Sequence, residues 1–263
     1  MFIYGAIVPH SPFLTPGAPE ERRRELAHSA DALASVGEEL KALRVETLLV
    51  VTTHGERYER ALGIALHDPY MAGLREFGDL KSHAIYFPDF KLIDTLSRTL
   101  RRAGAHATTT TNDELDHASS VPLIVLEPFL ESVKIVVVTP PVASARQLVD
   151  MGTCMREAVD TLPQRVAVLC VAELSHRLSE LSPGGVHPRA EAFDASIRGA
   201  FADGNSLPLL KPTPRELADV GGEELDAIRL FWGILNDTAY RVEERAYEAP
   251  HGIGTLTLVT HVH

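Results

Sequence analysis

Long runs of β-type apolar residues recur along this chain and alternate with segments of helical periodicity. Four of the runs are FIYGAIVP at 2–9, TLLVVTT at 47–53, VKIVVVTPP at 133–141 and RVAVLCVAE at 165–173. A strand that is apolar at every residue, rather than at every second one, is buried on both faces. We therefore predict an α/β fold with a mostly parallel central sheet and helices on both faces.

The remaining segments supply the helices and the domain organisation. A further strand is predicted at 254–262, while 55–90, rich in Gly, Pro and aromatic residues, is predicted to be irregular apart from the short strand LGIAL. No stretch has the length and polarity of a linker, so we expect residues 1–263 to form a single domain. Helices are predicted at 19–46 with an interruption near Gly37, and at 91–104, 118–131, 143–161, 188–203 and 222–236.

The composition of the chain limits the kinds of partner that it can bind and the cellular compartment in which it is expected. The formal net charge is −11, and an acidic chain gains no affinity for nucleic acid by counterion release. No apolar run is long enough to span a bilayer, and the first residues lack the basic region of a signal peptide. The two cysteines, Cys154 and Cys170, form neither a disulfide framework nor a zinc knuckle. These features exclude nucleic acid and membrane as expected partners and favour a reducing, cytoplasmic location.

Three histidines follow three of the predicted strands. His10 comes after the first strand, His54 after the second and His176 after the run at 165–173. Ligands of open α/β sheets bind outside the carboxyl ends of the strands, so these imidazoles are predicted to share one rim. A single histidine after a strand is more often an ordinary loop residue, but three together favour a site. His117 precedes a predicted helix, where an acidic or polar residue is the commoner choice.

A carboxylate near these histidines would complete a metal site. Two histidines and one carboxylate with open positions are typical of non-haem Fe(II) oxygenases. Glu223 and Glu224 follow a Gly-Gly pair and open a helix, although acidic residues in a first turn also stabilise a helix by opposing its dipole. The position of the two residues in the sequence does not decide which glutamate would be the metal ligand.

Other catalytic motifs are absent from the sequence. The chain contains no GxSxG, no GxxxxGK[ST] and no HExxH, and no GxGxxG between a strand and a helix. Ser175 beside His176 could suggest a hydrolase pair, but adjacent loop residues rarely face each other. Cys170 lies inside an apolar strand and is interpreted as a small buried hydrophobic residue.

The order of five motifs resembles a known family. AIVPHSP, VVTTHG, DHASSVPL, AELSHRL and GGEEL occur in the order and spacing of the class III extradiol ring-cleavage dioxygenases, the family of the protocatechuate 4,5-dioxygenase catalytic subunit. Memo-like proteins belong to the same superfamily. The resemblance extends from residue 3 to about residue 237 and implies a catalytic domain that opens the ring of a catechol with O2.

The resemblance also implies roles for individual residues. By the family pattern, His10, His54 and Glu224 would hold a non-haem Fe(II), for which Zn or Mn could substitute, and Glu223 is the ligand if the register slips by one residue. His176 matches the family's acid–base histidine, and His117 matches its substrate-contacting histidine. The expected partners are a small aromatic diol, O2 and, in a homodimer, a second copy of the chain.

Two departures from the family pattern leave the substrate open. The family carries a tryptophan shortly after the glutamate, whereas this chain has Ile228 there and Trp232 later. The segment 68–90, which should line the pocket, has no recognised pattern. Two alternative functions remain at this stage: a Memo-like metal-binding or interaction protein without ring cleavage, and a zinc hydrolase that uses the same ligands with a metal-bound water.

Overall fold

In the computed structural model, which describes residues 1–236 and 238–262, strands and helices alternate over most of the chain. The strands are β1 (Phe2–Val8), β2 (Thr47–Val51), β3 (Ala61–Ala65), β4 (Tyr70–Leu74), β5 (Asp79–Tyr86), β6 (His106–Thr110), β7 (Lys134–Thr139), β8 (Val166–Val171), β9 (Tyr240–Glu248) and β10 (Thr255–Val262). The helices are α1 (Glu20–Glu25), α2 (Ala27–Ala42), α3 (Phe90–Arg102), α4 (His117–Leu126), α5 (Ala145–Asp160), α6 (Ala190–Asp203), α7 (Leu207–Leu210), α8 (Pro214–Val220) and α9 (Leu225–Leu235).

One sheet organises the described residues. Its strand order is β6-β3-β7-β2-β8-β1-β10-β9. The central strands β7, β2, β8 and β1 are mutually parallel, β10 and β9 continue the sheet by antiparallel pairing, and β3 is antiparallel to β7 but parallel to β6. The predicted mostly parallel sheet is therefore confirmed, and the carboxyl ends of β2, β8 and β1 lie side by side at one edge.

Two hydrophobic cores flank this sheet, because successive side chains of each central strand point to opposite faces. In β1, Ile7 packs into one core and Ala6 and Val8 pack into the other. The first core contains buried residues of α3, α5, α6 and α9, and the second contains those of α2, α4 and the β4–β5 hairpin. Helices thus cover both faces, which explains why the central strands are apolar throughout. Within the described part of the chain, no helix is both long enough and apolar enough to cross a bilayer.

The structure corrects several predicted elements. In the segment 55–90 the predicted strand LGIAL is present as β3, but the remainder is not irregular, since it contains the β4–β5 hairpin. The predicted helix at 19–46 breaks at the buried Leu26, not near Gly37. Gly37 stays inside α2, where a Cβ atom would lie 2.3 Å from the Phe129 ring. The edge strands β6 and β9 were not predicted, because β6 is rich in threonine and β9 in charged residues, and both lack an apolar run.

Candidate active site

Three adjacent parallel strands deliver side chains to one edge of the sheet. Val8 of β1 pairs with Val171 of β8, and β8 also pairs with β2, so the three strands end together. His10 follows β1, Glu173 follows β8 and His54 follows β2. The prediction that strand ends place imidazoles on a common rim agrees with this arrangement.

Glu224 reaches the same edge from the N-terminus of α9. Its carboxylate oxygens lie 3.0 and 3.1 Å from Nε2 of His10, and Oε1 lies 3.2 Å from Nε2 of His54. The backbone N–H of Glu173 donates to Glu224 Oε2 at 2.7 Å. Glu224 is buried, whereas Glu223 is exposed. Of the two candidate carboxylates, Glu224 is therefore the one that meets the histidines.

His117 completes the cluster from the N-terminus of α4. The ring centroids of His117 and His54 are 4.4 Å apart, and those of His117 and His10 are 5.5 Å apart. Asp116 caps the helix by accepting from the Ser119 backbone at 3.0 Å. This cap holds His117 against the two histidines that follow β1 and β2.

His176 faces the cluster from the loop after β8. Its Nε2 atom lies 3.6 Å from Glu173 Oε2 and 3.7 Å from Glu224 Oε1, and no hydrogen-bond partner for it occurs within the described chain. The neighbouring Ser175 is fully buried, and its hydroxyl donates to the Val220 carbonyl at 2.6 Å. That hydroxyl is thus engaged elsewhere, so Ser175 and His176 do not form a hydrolase pair.

The buried carboxylates dominate the electrostatics. Burial alone would lower the pKa of His10, but the charges of Glu224 and Glu173 outweigh burial and raise this pKa to about 10. Burial likewise opposes ionisation of Glu224, yet the charge and hydrogen bond of His10 hold the pKa of this carboxyl well below its ordinary value. Burial raises the pKa of Glu173. The protonated His10 ring and the ionised Glu224 carboxylate therefore stabilise each other in the metal-free protein.

A cavity of about 830 Å³ gives access to the cluster. His10, His54, His117, Glu173 and His176 all contribute to its wall. Apolar side chains supply much of the remaining wall, and they include Phe13, Leu26, Leu74, Phe77, Leu80 and Ile253. A cavity of this size, with an apolar wall and a polar end, suits a small organic ligand.

The donor atoms of this cluster could hold a metal ion. Among residues 1–236 and 238–262, two groups have donor atoms within 4.8 Å of one another, namely His10 with His54 and His117, and His10 with Glu173 and Glu224. Both groups include His10, and Glu224 also contacts His54. Five of the candidate residues from the sequence, His10, His54, His117, His176 and Glu224, lie in one cluster together with Glu173, whereas the alternative carboxylate Glu223 lies outside it.

Comparison with known proteins assigns the family. A model of the family described as the catalytic LigB subunit of aromatic ring-opening dioxygenase matches residues 4–256. The chain belongs to the LigB family. This confirms the resemblance seen in the sequence motifs and supports a scaffold of the aromatic ring-opening dioxygenase type.

Individual proteins also resemble this LigB chain. Protein CA_C1420 of Clostridium acetobutylicum is 21% identical over 257 residues, which cover 94% of this chain and 55% of that protein. The chain thus spans about half the length of this curated relative. The crystal structure of the uncharacterized protein JW3007 from Escherichia coli K12 superposes with a TM-score of 0.66 at 15% identity, covering 98% of this chain and 99% of the other. At that identity the likeness shows the fold.

The structure shows where the two departures from the family pattern, the displaced tryptophan and the segment 68–90, lie in this LigB chain. Ile228 is fully buried in the first core, and Trp232 packs edge-on against Phe201 with ring centroids 5.1 Å apart. The segment 68–90 forms the β4–β5 hairpin, and residues 77–81 of its tip line the cavity. This segment lines the pocket, as expected from the resemblance, although its sequence did not predict the hairpin that brings it there.

One residue of the LigB site was missed in the sequence. Glu173 is 4% exposed and lies among His10, His176 and Glu224. It was interpreted as the last residue of a buried strand. The available signal was an acidic side chain at the end of an otherwise apolar run, in the same register as the histidines that follow the two neighbouring strands.

Proposed function

We propose that this chain is a non-haem Fe(II)-dependent extradiol dioxygenase that opens the ring of a catecholic substrate with O2, with residues 1–263 acting as one catalytic domain. The observation that carries the proposal is the meeting of His10, His54 and Glu224 beside a cavity whose wall also holds His117 and His176. Membership of the LigB family supports an aromatic substrate and O2 in general.

The separations within the cluster fit a divalent ion. Donors that bind one ion at about 2.0–2.2 Å and at right angles lie about 3 Å apart. Glu224 lies 3.0 Å from His10 Nε2 and 3.2 Å from His54 Nε2. The buried Nε2 atom of His176 lies 3.7 Å from Glu224 Oε1 and has no hydrogen-bond partner within the described residues. Two imidazoles and a carboxylate are the donor set of non-haem iron oxygenases, and Zn or Mn could bind the same atoms.

Proton transfer and substrate orientation would be carried out by side chains that are not metal ligands. When bound, Fe(II) would hold the diol and O2 together and stabilise the deprotonated diol. His176 lies near the ligands without being needed as one, and it would accept a proton from a substrate hydroxyl and return it to the opening ring.

His117, which lines the same cavity, would orient the substrate. Burial, together with the neighbouring His54 and His10, lowers the pKa of His117, so its ring is neutral near pH 7 and can both donate and accept hydrogen bonds. The apolar residues Phe13, Leu74 and Phe77 would pack against the aromatic ring and keep water away from it.

Anaerobic loading of the metal-free protein with Fe(II) tests the proposal. We expect O2 uptake with at least one member of a catechol panel, together with a yellow ring-fission product, and no uptake with the protein loaded with Zn(II). A Memo-like binding protein would hold the metal but consume no O2. A zinc hydrolase would be active with Zn(II) and would leave O2 untouched. The cytoplasmic location and the homodimer stay predictions.

A further inference from the structure

Glu173 is a buried carboxylate whose charge has no cationic Lys or Arg partner within residues 1–236 and 238–262. The residue is 4% exposed, and its ion-pair neighbour is His176, whose Nε2 atom lies 3.6 Å from Glu173 Oε2. That separation is too long for a hydrogen bond. A buried carboxylate without hydrogen bonds or a paired charge is unfavourable, so a compensating partner is expected.

The position of Glu173 points to what that partner is. A donor atom of Glu173 lies within 4.8 Å of donor atoms of both His10 and Glu224. The Glu173 backbone N–H donates to Glu224 Oε2 at 2.7 Å, which ties its main chain to the proposed ligand. Glu173 also lines the cavity, so its carboxylate faces the space in which a metal ion would sit.

The charge of the site supports the same conclusion. Metal ligation requires neutral imidazoles, so a bound cation in this buried cluster would face the carboxylates of Glu173 and Glu224. Neutral imidazoles contribute donor atoms but no charge. A divalent cation would balance both carboxylates at once, whereas a single carboxylate ligand would leave the second one uncompensated.

We propose that Glu173 is a fourth protein ligand of the divalent metal in the substrate-free protein, so that the donor set is His10, His54, Glu173 and Glu224. The inference rests on the metal site of the proposed function but not on ring cleavage. A set of two imidazoles and two carboxylates leaves fewer open positions than a set of three ligands. A chelating diol would then displace the Glu173 carboxylate.

A structure of the metal-free protein loaded with Zn²⁺ alone tests the inference without any substitution. We expect a Glu173 carboxylate oxygen about 2.0–2.2 Å from the ion, together with donors from His10, His54 and Glu224. A Glu173 carboxylate more than about 3 Å from a bound ion would overturn the inference and leave the other three ligands in place. If Zn²⁺ does not bind at all, both this inference and the metal site of the proposed function are wrong.

Titration of the metal-free protein with Zn²⁺ provides an independent solution test. Glu173→Gln keeps the shape of the side chain and removes its charge, and Glu223→Gln is the matched control because Glu223 is exposed. We expect Glu173→Gln to weaken Zn²⁺ binding by more than about a hundredfold, which exceeds the loss typical of an outer-shell residue. Glu223→Gln should bind as the wild type does. Equal affinities of the two variants would contradict ligation by Glu173.

Discussion

The Glu224 carboxylate contacts both His10 and His54 while it is almost completely withdrawn from water. Removing one partner of a buried charged pair is costly, because the other charge stays buried without compensation. His176 differs from these residues in that its Nε2 atom lies 3.7 Å from Glu224 and its ring is partly exposed to the cavity. The site thus contains residues that would hold the metal and residues that would act on the substrate.

Two substitutions separate these roles. We expect His10→Ala to lose bound iron, because His10 is a proposed ligand and lies in both groups of donor atoms. His176→Ala should keep its iron and lose about 10²–10⁴-fold in turnover, the usual contribution of general acid–base catalysis. Iron analysis and O2 uptake on both variants measure this difference. Equal loss of iron in both variants would make His176 a ligand, and full activity of His176→Ala would remove it from the mechanism.

At the scale of elements, α9 is important because it carries Glu224 at its N-terminus and packs closely on α5. A Cβ atom on Gly152 of α5 would lie 2.1 Å from the Leu230 carbonyl oxygen, and one on Gly233 would lie 2.0 Å from the Val149 carbonyl oxygen. These backbone atoms cannot move aside as a flexible side chain could. The two glycines therefore set the distance between the helices and, with it, the position of Glu224.

Gly152→Ala should accordingly destabilise the fold. Overpacking in a tight contact costs about 1–3 kcal/mol, and we expect a loss of this size in the free energy of unfolding measured with urea. Gly199→Ala in α6 is the control, because the nearest atom to a Cβ there is Asp203 Oδ2 at 3.9 Å. A Gly to Ala change in an unstrained helix is expected to be neutral or stabilising. Similar effects at both positions would refute the close-contact explanation.

The strands differ in how well they could be predicted from the sequence. The four central strands could be predicted, because burial on both faces leaves a continuous apolar run in the local sequence. The histidines that follow those strands could be predicted as site residues, because ligands of open α/β sheets bind at the carboxyl ends of the strands. The β4–β5 hairpin could not, because its alternating pattern is short and mixed with glycine and exposed apolar residues such as Ile85.

Glu173 could not be predicted as a site residue from local sequence either. Its burial depends on α9 returning to the end of β8, through a hydrogen bond between residues separated by 51 positions. A single sequence contains no signal for such a long-range contact. Glu224 could be preferred over Glu223 only because the family motif GGEEL marks it.

At the scale of the whole molecule, Asp194 connects three parts of the fold. Its carboxylate, on α6, accepts from the Ser175 backbone N–H at 2.8 Å and from the Tyr247 hydroxyl of β9 at 2.8 Å. Burial raises the pKa of Asp194 to about 6, although its hydrogen bonds act in the opposite direction. The folded protein therefore holds a proton on this group at pH values where the unfolded chain has released it.

Stability should consequently fall as the pH rises through this range. The contribution of Asp194 is fully present below its ordinary pKa of 3.8 and is lost as the pH passes about 6, by about 3 kcal/mol in total. Asp194→Asn, which cannot ionise, should lack this part of the pH dependence. Urea unfolding of both proteins between about pH 4 and 7 measures the difference. Parallel stability curves for the two proteins would show that Asp194 does not titrate in this way.

The central claim is that this LigB chain, loaded with Fe(II), inserts O2 into the ring of a catechol. The most direct measurement is the stoichiometry of one reaction, in which O2 uptake, catechol loss and the mass of the product are followed together. We expect one O2 consumed per catechol, a product heavier than the substrate by one O2 molecule, and no hydrogen peroxide. Catechol loss with peroxide formation, or a product that contains no oxygen from O2, would contradict it.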